Sequence, residues 1–127
     1  MLDFCTLLCY TKYSDSKIRR VNQMETVQVT IYQLPAEHKM MFQGSNEWKE
    51  KMLRLEKSVY HSVYSFQIPK DALTCGMNAI LEEIFIRFNV NLPKDFCGHS
   101  LSVSDVVVVD NEAYYVERIG FSLLKSF

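Results

Sequence analysis

The chain has 127 residues, of which 48% are hydrophobic and 13% aromatic, and its formal net charge is −1 at pH 7. This length and composition predict one compact domain and exclude a natively disordered chain. Residues 65–127 carry five Lys and Arg against eight Asp and Glu. Neither half has the basic density that binding to a phosphate backbone needs, so nucleic acid is not an expected partner.

The cysteines and the apolar segments bear on the cellular compartment. The four cysteines are Cys5, Cys9, Cys75 and Cys97, which include no CxxC pair, and two of them lie in apolar surroundings typical of buried free thiols. No segment approaches the roughly 20 apolar residues of a membrane span. Asp3 stands where a secretory signal would carry Lys or Arg. We therefore expect a soluble protein of the reducing cytoplasm, with no membrane association.

The first predicted elements follow a change in the residue pattern near residue 24, from a polar, basic stretch to a strand-like alternation. We expect residues 1–23 to be an N-terminal extension and residues 24–127 to be the domain. From Val27, apolar and polar residues alternate with a period of two, which predicts a half-buried strand that Pro35 ends.

A first helix and a second strand are predicted next. The helix starts at Gly44-Ser45, with Ser45 as its N-cap and Trp48 on its buried face. Residues 58–68 alternate again, which places Tyr60 and Tyr64 on one face of a strand.

The second helix is predicted at Ala79 to Phe88. Asn78 is a good N-cap for it, and a broad apolar stripe must pack against the rest of the domain. Glu82 and Glu83 are expected to face water, since adjacent helical residues point about 100° apart and do not form an acid and base pair.

A hairpin completes the predicted domain. The valine run Val106 to Val109 is typical of a strand buried on both sides. Asp110-Asn111-Glu112 has turn chemistry, a strand from Ala113 to Ile119 follows, and Gly120 marks a bulge or a sharp bend. The order β-α-β-α-β-β predicts an α+β domain: a small, mostly antiparallel sheet of about four strands with two helices on one face.

Several residues near the hairpin could in principle carry chemistry. His99, Ser102, Ser104 and Asp105 include the residue types of a Ser-His-Asp triad, but no GxSxG elbow is present. Turn capping by Ser104 and Asp105 explains their position before a strand more economically. A hydrolase or RNA-processing enzyme that uses Cys97, His99 or Asp105 stays open as an alternative, and it predicts that these side chains converge in a concave pocket.

No other pattern indicates a catalytic or cofactor site. The chain has no Gly-rich phosphate loop, no Walker lysine and no dinucleotide fingerprint, and its Cys and His residues lack the paired spacing of a zinc site. We therefore expect no cofactor, no metal and no enzymatic activity. Acidic residues beside aromatic ones fit a protein-binding surface instead, because Tyr is enriched among interface anchors. That surface is expected to include Asp110, Glu112, Tyr115, Glu117, Glu82 and Glu83.

A family resemblance rests on the segment LPKDFCGHSLSVSDVVV, residues 92–108, together with YYVE at 114–117 and IGF at 119–121. These residues resemble the YodL-like domain, a family common in Firmicutes, especially in proteins of conjugative and other mobile elements. The resemblance implies no catalytic residues. It implies a small accessory protein of a mobile element or prophage, which acts by occupying the surface of a partner.

These observations lead to an expected function. We expect a non-enzymatic interaction domain that inhibits a host defence nuclease, of the anti-CRISPR or antirestriction type, by stoichiometric binding. The partner would be a CRISPR effector or a restriction enzyme. Two further alternatives stay open: a regulator of host replication or morphogenesis machinery, and a homodimer that pairs through the aromatic face of its sheet.

Overall fold

The computed structural model describes residues 25–50, 55–125 and 127. Within them, an antiparallel sheet has five strands: β1 (Thr26–Gln33), β2 (His61–Pro69), β3 (Val106–Val109), β4 (Glu112–Val116) and β5 (Phe121–Leu124). The strand order across the sheet is β2-β1-β3-β4-β5. The α+β class and the antiparallel sheet are therefore confirmed. The predicted number of about four strands is too low, because the residues after Gly120 pair with β4.

The described residues contain two α-helices between the strands, α1 (Ser45–Glu50) and α2 (Met77–Val90). They also contain the 3-10 helices Lys57–Val59 and Lys70–Cys75. Helix α2 packs on the sheet through a buried stripe of Ile80, Leu81, Ile84 and Phe88. The predicted N-terminal extension, residues 1–23, lies outside the described residues.

The two helices cover opposite faces of the sheet. Val107 and Val109 belong to the same apolar cluster as the stripe of α2, whereas Val106 belongs to a second cluster with Trp48 of α1. Because successive side chains of a strand point to opposite faces, these clusters lie on opposite sides, which we call the α2 face and the α1 face. The prediction of two helices on one face is wrong, and the valine run is buried from both sides as predicted.

A β-bulge explains a second difference, in strand β2. The pairing of β1 with β2 shifts register between Ile31 and Tyr32, which leaves Val63 as an extra residue in β2. The bulge inverts the alternation, so Tyr64 packs against the α2-face cluster while Tyr60 is buried in the α1-face cluster. The prediction that both tyrosines share one face is wrong for this reason.

Both helices begin differently from the prediction. At α1, the Gly44 amide donates to Glu47 Oε1 at 2.6 Å, and the Ser45 hydroxyl donates to a carboxylate oxygen of Glu117, whereas the hydroxyl of an N-cap accepts an amide of its own helix. At α2, the first helical residue is Met77, and Gly76 with φ of 95° precedes it. Glycine tolerates this positive φ, so the helix starts before the expected cap at Asn78.

The hairpin of β3 and β4 is closed as the sequence predicts. Asp110 and Asn111 both have positive φ, 51° and 71°, and they join strands whose last pair is Val109 and Glu112. A two-residue turn with this backbone is the type I′ turn, whose twist matches that of antiparallel strands. Strand β4 then ends at Val116, before the predicted Ile119, because the chain turns into β5.

Candidate functional site

Three polar side chains meet where β1 ends and β3 begins: Gln33, His99 and Asp105, here called the polar cluster. Gln33 and Asp105 are 2% and 0% exposed. Gln33 Nε2 donates to Asp105 Oδ2 at 3.0 Å and to the His99 carbonyl at 2.8 Å, and Gln33 Oε1 accepts the His99 amide at 3.1 Å. The buried amide of Gln33 therefore fixes the backbone of His99 and the carboxyl of Asp105 in one arrangement.

Asp105 is a carboxyl group without an ionised partner at hydrogen-bond distance. Burial raises the pKa of Asp105 to about 8, against the opposing effect of hydrogen bonds from the Ser102 amide, at 2.8 Å, and from Gln33. Below that pH the group is protonated in the folded protein, since the low-polarity surroundings disfavour the charged form. A protonated carboxyl keeps one acceptor oxygen and gains a donor.

That donor faces His99. The Nε2 atom of His99 lies 4.0 Å from Asp105 Oδ1, and neither atom has a hydrogen-bond partner among the described residues. His99 Nδ1 lies 2.7 Å from the Ser100 carbonyl, which can only accept, so Nδ1 carries a proton. His99 Nε2 and Asp105 Oδ1 lie next to each other in the polar cluster, but too far apart for a direct hydrogen bond.

Cys97 is not part of this pair. Its thiol is free and exposed, and its only described contact is with the Asp95 carbonyl, at 3.6 Å. The structure thus brings together His99 and Asp105 and leaves Cys97 apart from them. Cys75 is disulfide-bonded, whereas the sequence led us to expect the reducing cytoplasm, where disulfides are rare. Cys5 and Cys9 lie outside the described residues.

The nearby serines have structural contacts. The Ser102 hydroxyl donates to the Ser100 carbonyl at 2.8 Å. The Ser104 hydroxyl accepts the Phe42 amide at 3.0 Å, and Ser104 has a φ of 88° in the turn before β3. The Ser102 amide donates to Asp105, so turn capping is confirmed for Asp105. The prediction is wrong for the Ser104 side chain, whose hydroxyl binds the distant loop at Phe42 rather than its own turn.

Tyr115 does not lie on the expected partner-binding surface. It is 0% exposed, its hydroxyl donates to the Gln43 carbonyl at 2.6 Å, and it accepts the indole N–H of Trp48 at 2.8 Å. Position 115 points to the α1 face, which the segment between β1 and β2 covers. The assignment of Tyr115 to an exposed surface is wrong, because the sheet has a core on both sides.

The five acidic residues of the expected surface lie in separate places. Asp110 and Glu112 are exposed at the β3–β4 turn, and Glu82 and Glu83 lie on α2. Glu117 follows β4 and binds the start of α1, since its carboxylate accepts the Ser45 amide at 3.0 Å. Burial alone would raise the pKa of Glu117, but hydrogen bonds from Ser122 and Ser45 outweigh it, and the pKa is lowered.

A groove of about 110 Å³ lies between α2 and the β4–β5 hairpin, here called the α2–β5 groove. Its lining residues are Glu82, Phe85, Val116, Glu117, Arg118, Gly120 and Phe121. The rings of Phe85 and Phe121 meet edge to face at 6.4 Å between centroids. Arg118 is paired with Glu47 through two contacts of 3.0 and 3.1 Å, and no ion pair of Glu82 occurs among the described residues. The groove is therefore apolar at its base and acidic at its rim.

Exposed aliphatic side chains stand beside this groove. Ile119, between two lining residues in the β4–β5 turn, is 93% exposed, and Leu123 of β5 and Ile86 of α2 are 54% and 52% exposed. The sequence analysis missed these residues. One signal was present: an isoleucine next to the glycine of a predicted bend is an apolar residue in a position that normally faces water.

Comparisons with known proteins give a family but no close relative. The model of a family described as the YodL-like domain matches residues 28–127. No curated protein and no solved structure matches the chain. In the described part of the chain, no group of three or more His, Cys, Asp or Glu side chains is placed to hold a metal ion. No helix in that part is long and apolar enough to cross a membrane.

Proposed function

The chain belongs to the YodL-like domain family, and from this premise we propose that it is a non-enzymatic interaction domain that binds one protein partner stoichiometrically. The observation that carries the proposal is the exposed aliphatic group beside the acidic α2–β5 groove: Ile119, Leu123 and Ile86 are each more than half exposed. An apolar patch with a charged rim is typical of a surface that a partner covers.

The family resemblance supports a more specific partner. Members occur in mobile elements, and accessory proteins of such elements often counter host defences. We propose that the partner is a host defence nuclease in the cytoplasm, either a CRISPR effector or a restriction enzyme. Such enzymes present basic channels to nucleic acid, and an acidic surface attracts a basic channel and competes with phosphate for it.

Co-purification with candidate nucleases, together with a target-cleavage assay, tests the proposal. The wild-type chain should form a one-to-one complex and reduce cleavage of target DNA. Ile119→Ser should weaken the complex about tenfold, because it removes an exposed apolar anchor. Val90→Ser is the matched control: Val90 is also an exposed aliphatic, at 79%, but it does not line the groove. Unchanged cleavage and no complex with any nuclease of the panel would refute the proposal.

The enzymatic alternative has one observation in its favour, the 4.0 Å approach of His99 to Asp105. A hydrolase or RNA-processing enzyme also needs a nucleophile or an activated water at that pair, and Cys97 points to the Asp95 carbonyl instead. His99→Ala separates the two ideas: it abolishes activity on an RNA or ester substrate if the pair is catalytic, and leaves partner binding unchanged if the surface function holds.

The remaining alternatives concern other partners. A regulator of replication or morphogenesis machinery would co-purify with those proteins rather than with a nuclease. A homodimer would show a molecular mass that rises with concentration in light scattering, in the absence of any other protein.

A further inference from the structure

The two edge strands of the sheet differ in how they are protected against further pairing. β2 carries a bulge at Val63 and ends at Pro69, and both features prevent another strand from pairing along it. β5, Phe121–Leu124, contains neither proline nor a charged residue. Among the described residues, no strand pairs with its outer side. β5 is therefore the edge that can accept a further strand.

The backbone groups that face outward on β5 follow from the hydrogen bonds of β4. The Val116 amide donates to the Asp105 carbonyl at 2.9 Å, toward β3, so the amide of the preceding residue, Tyr115, points toward β5 and pairs with Ser122. Hydrogen-bonded pairs alternate in an antiparallel ladder. The amides and carbonyls of Phe121 and Leu123 therefore point away from the sheet, and no strand among the described residues pairs with them.

The side chains next to this edge define what a sixth strand should carry. Phe121 and Leu123 share the α2 face, since they are paired with Val116 and Tyr114, which belong to or pack against the α2-face cluster. A strand added about 4.8 Å from β5 would lay every second side chain beside them. An aliphatic side chain there would cover Leu123, and a Lys or Arg could rest its apolar stem on Phe121 and reach Glu82 with its charge.

We propose that β5 is a strand-addition site for an extended segment of a partner protein that presents a Lys or Arg flanked by aliphatic residues on one face. This mode of recognition uses main-chain hydrogen bonds for affinity and alternate side chains for specificity. The inference rests on the proposed function, and it specifies the surface and the chemistry of the partner. Charge favours such a segment, since Glu82 and Glu117 line the groove and the one cation, Arg118, is paired with Glu47.

A defined peptide tests the site without knowledge of the partner. The probe is acetyl-Ile-Thr-Lys-Thr-Ile-amide, which places Ile, Lys and Ile on one face, and the matched control has Glu in place of Lys. Titrated into the isotope-labelled full chain, the Lys peptide should shift the amide resonances of Phe121 and Leu123 and slow their hydrogen exchange. The affinity of the Glu peptide should be lower by at least about fivefold, because the acidic groove repels it.

Variants separate the backbone and charge contributions. Leu123→Pro removes one outward amide without removing a bond to β4, and should weaken the Lys peptide at least about tenfold. Leu123→Thr keeps the amide and should stay within about threefold of the wild type. Glu82→Gln should weaken binding about threefold. Glu83→Gln is its control, with the same change of charge on the same helix but outside the groove. If Leu123→Pro does not fold, the comparison of Glu82→Gln with Glu83→Gln tests the strand-addition site.

The outcomes distinguish this inference from the proposed function. Peptide shifts away from β5, equal binding of both peptides, or no β5 shift at millimolar peptide would overturn the strand-addition site. β5 shifts that appear with rising protein concentration alone would also overturn it, since the occupant would then be a second copy of the chain. A nuclease complex that survives Leu123→Pro refutes the inference and leaves the proposed function intact. Peptide binding at β5 with no nuclease complex would support the strand-addition site and refute the proposed function.

Discussion

Replacing Asp105 by asparagine should remove a large part of the pH dependence of stability between pH 5 and pH 8. Asp105 has a pKa of about 8 in the folded protein and 3.8 as an unperturbed group. Between these values the native state holds a proton that the unfolded state has released. Unfolding therefore releases a proton, and the free energy of unfolding falls by about 1.4 kcal/mol for each unit of rising pH.

The expected magnitude follows from that slope. From pH 5 to pH 7 the wild type should lose roughly 3 kcal/mol that the Asp105→Asn variant retains. Asparagine has the shape of the protonated acid: its oxygen can accept from the Ser102 amide and from Gln33, and its NH2 group can face His99 Nε2. At pH 5 the two proteins should therefore be equal within about 1 kcal/mol.

Urea denaturation at pH 5, 6, 7 and 8 measures this difference, and groups that titrate alike in both proteins cancel from it. Asp110→Asn is the matched control, because it makes the same chemical change at an exposed turn residue whose positive φ asparagine also tolerates. A difference between wild type and Asp105→Asn that stays constant across the series would refute the reasoning, since it would mean that Asp105 ionises alike in the folded and unfolded chains.

Three further changes test particular contacts. Gly98→Ala should cost about 2 kcal/mol in urea denaturation, because the added Cβ would lie 2.0 Å from Gln33 Oε1. Tyr115→Phe should cost about 1–3 kcal/mol by the same measurement, because it leaves two buried groups, the α1 indole donor and a loop carbonyl, without their partner. Ser45→Ala should raise the pKa of Glu117 measured by NMR, and should cost about 1 kcal/mol at pH 6 and progressively less as the pH falls through the lowered pKa of the folded carboxyl, where its stabilising charge is lost.

Each of these has an outcome that contradicts it. Wild-type stability of Gly98→Ala would mean that Gln33 can move without cost. An unaffected Tyr115→Phe would mean that water replaces the lost hydroxyl. A loss in Ser45→Ala that stays the same above and below the pKa of Glu117 measured by NMR would show that its hydroxyl supports the backbone and not the charge of Glu117.

The hairpin could be predicted from the sequence because its signals are local. Four consecutive β-branched residues favour a strand, and Asp110-Asn111 favours a turn with positive φ, so both follow from residues within a few positions of each other. The alternation that begins at Val27 predicted the buried face of β1 for the same reason. Local patterns define an element and its apolar side without reference to the rest of the fold.

The face of the sheet on which each helix and side chain lies could not be predicted in this way. Trp48 had to be buried, but nothing near it specifies which face of the sheet α1 covers. Tyr114 and Tyr115 alternate across β4, and only the full fold shows that the α1 face buries Tyr115. The bulge at Val63 moves the Tyr60 side chain to the opposite face of the sheet, and no glycine or proline in the sequence indicates the bulge. In each case a long-range contact decides what periodicity leaves open.

The candidate site was predicted in part. His99 and Asp105 were named with Cys97 as candidates for one pocket, and Asp105 was correctly interpreted as a turn cap, but nothing in the sequence could place Gln33, 72 residues from Asp105, between them. The acidic residues of α2 and of the hairpin were named as a surface, whereas the exposed Ile119 and the position of β5 at the edge of the described sheet were not predicted. An edge strand is defined by the neighbour that it lacks, which is a property of the assembled sheet.

The valine run of β3 has a consequence for how the chain finds its correct strand alignment. A slip of two residues would keep valine at half of the strand positions and every side chain on its own face, so the valines themselves do not distinguish the two alignments. The turn at Asp110 and Asn111 does distinguish them, because each of its two residues must adopt a positive φ that valine strongly disfavours. The most polar residues of the hairpin therefore select the alignment of its most apolar ones.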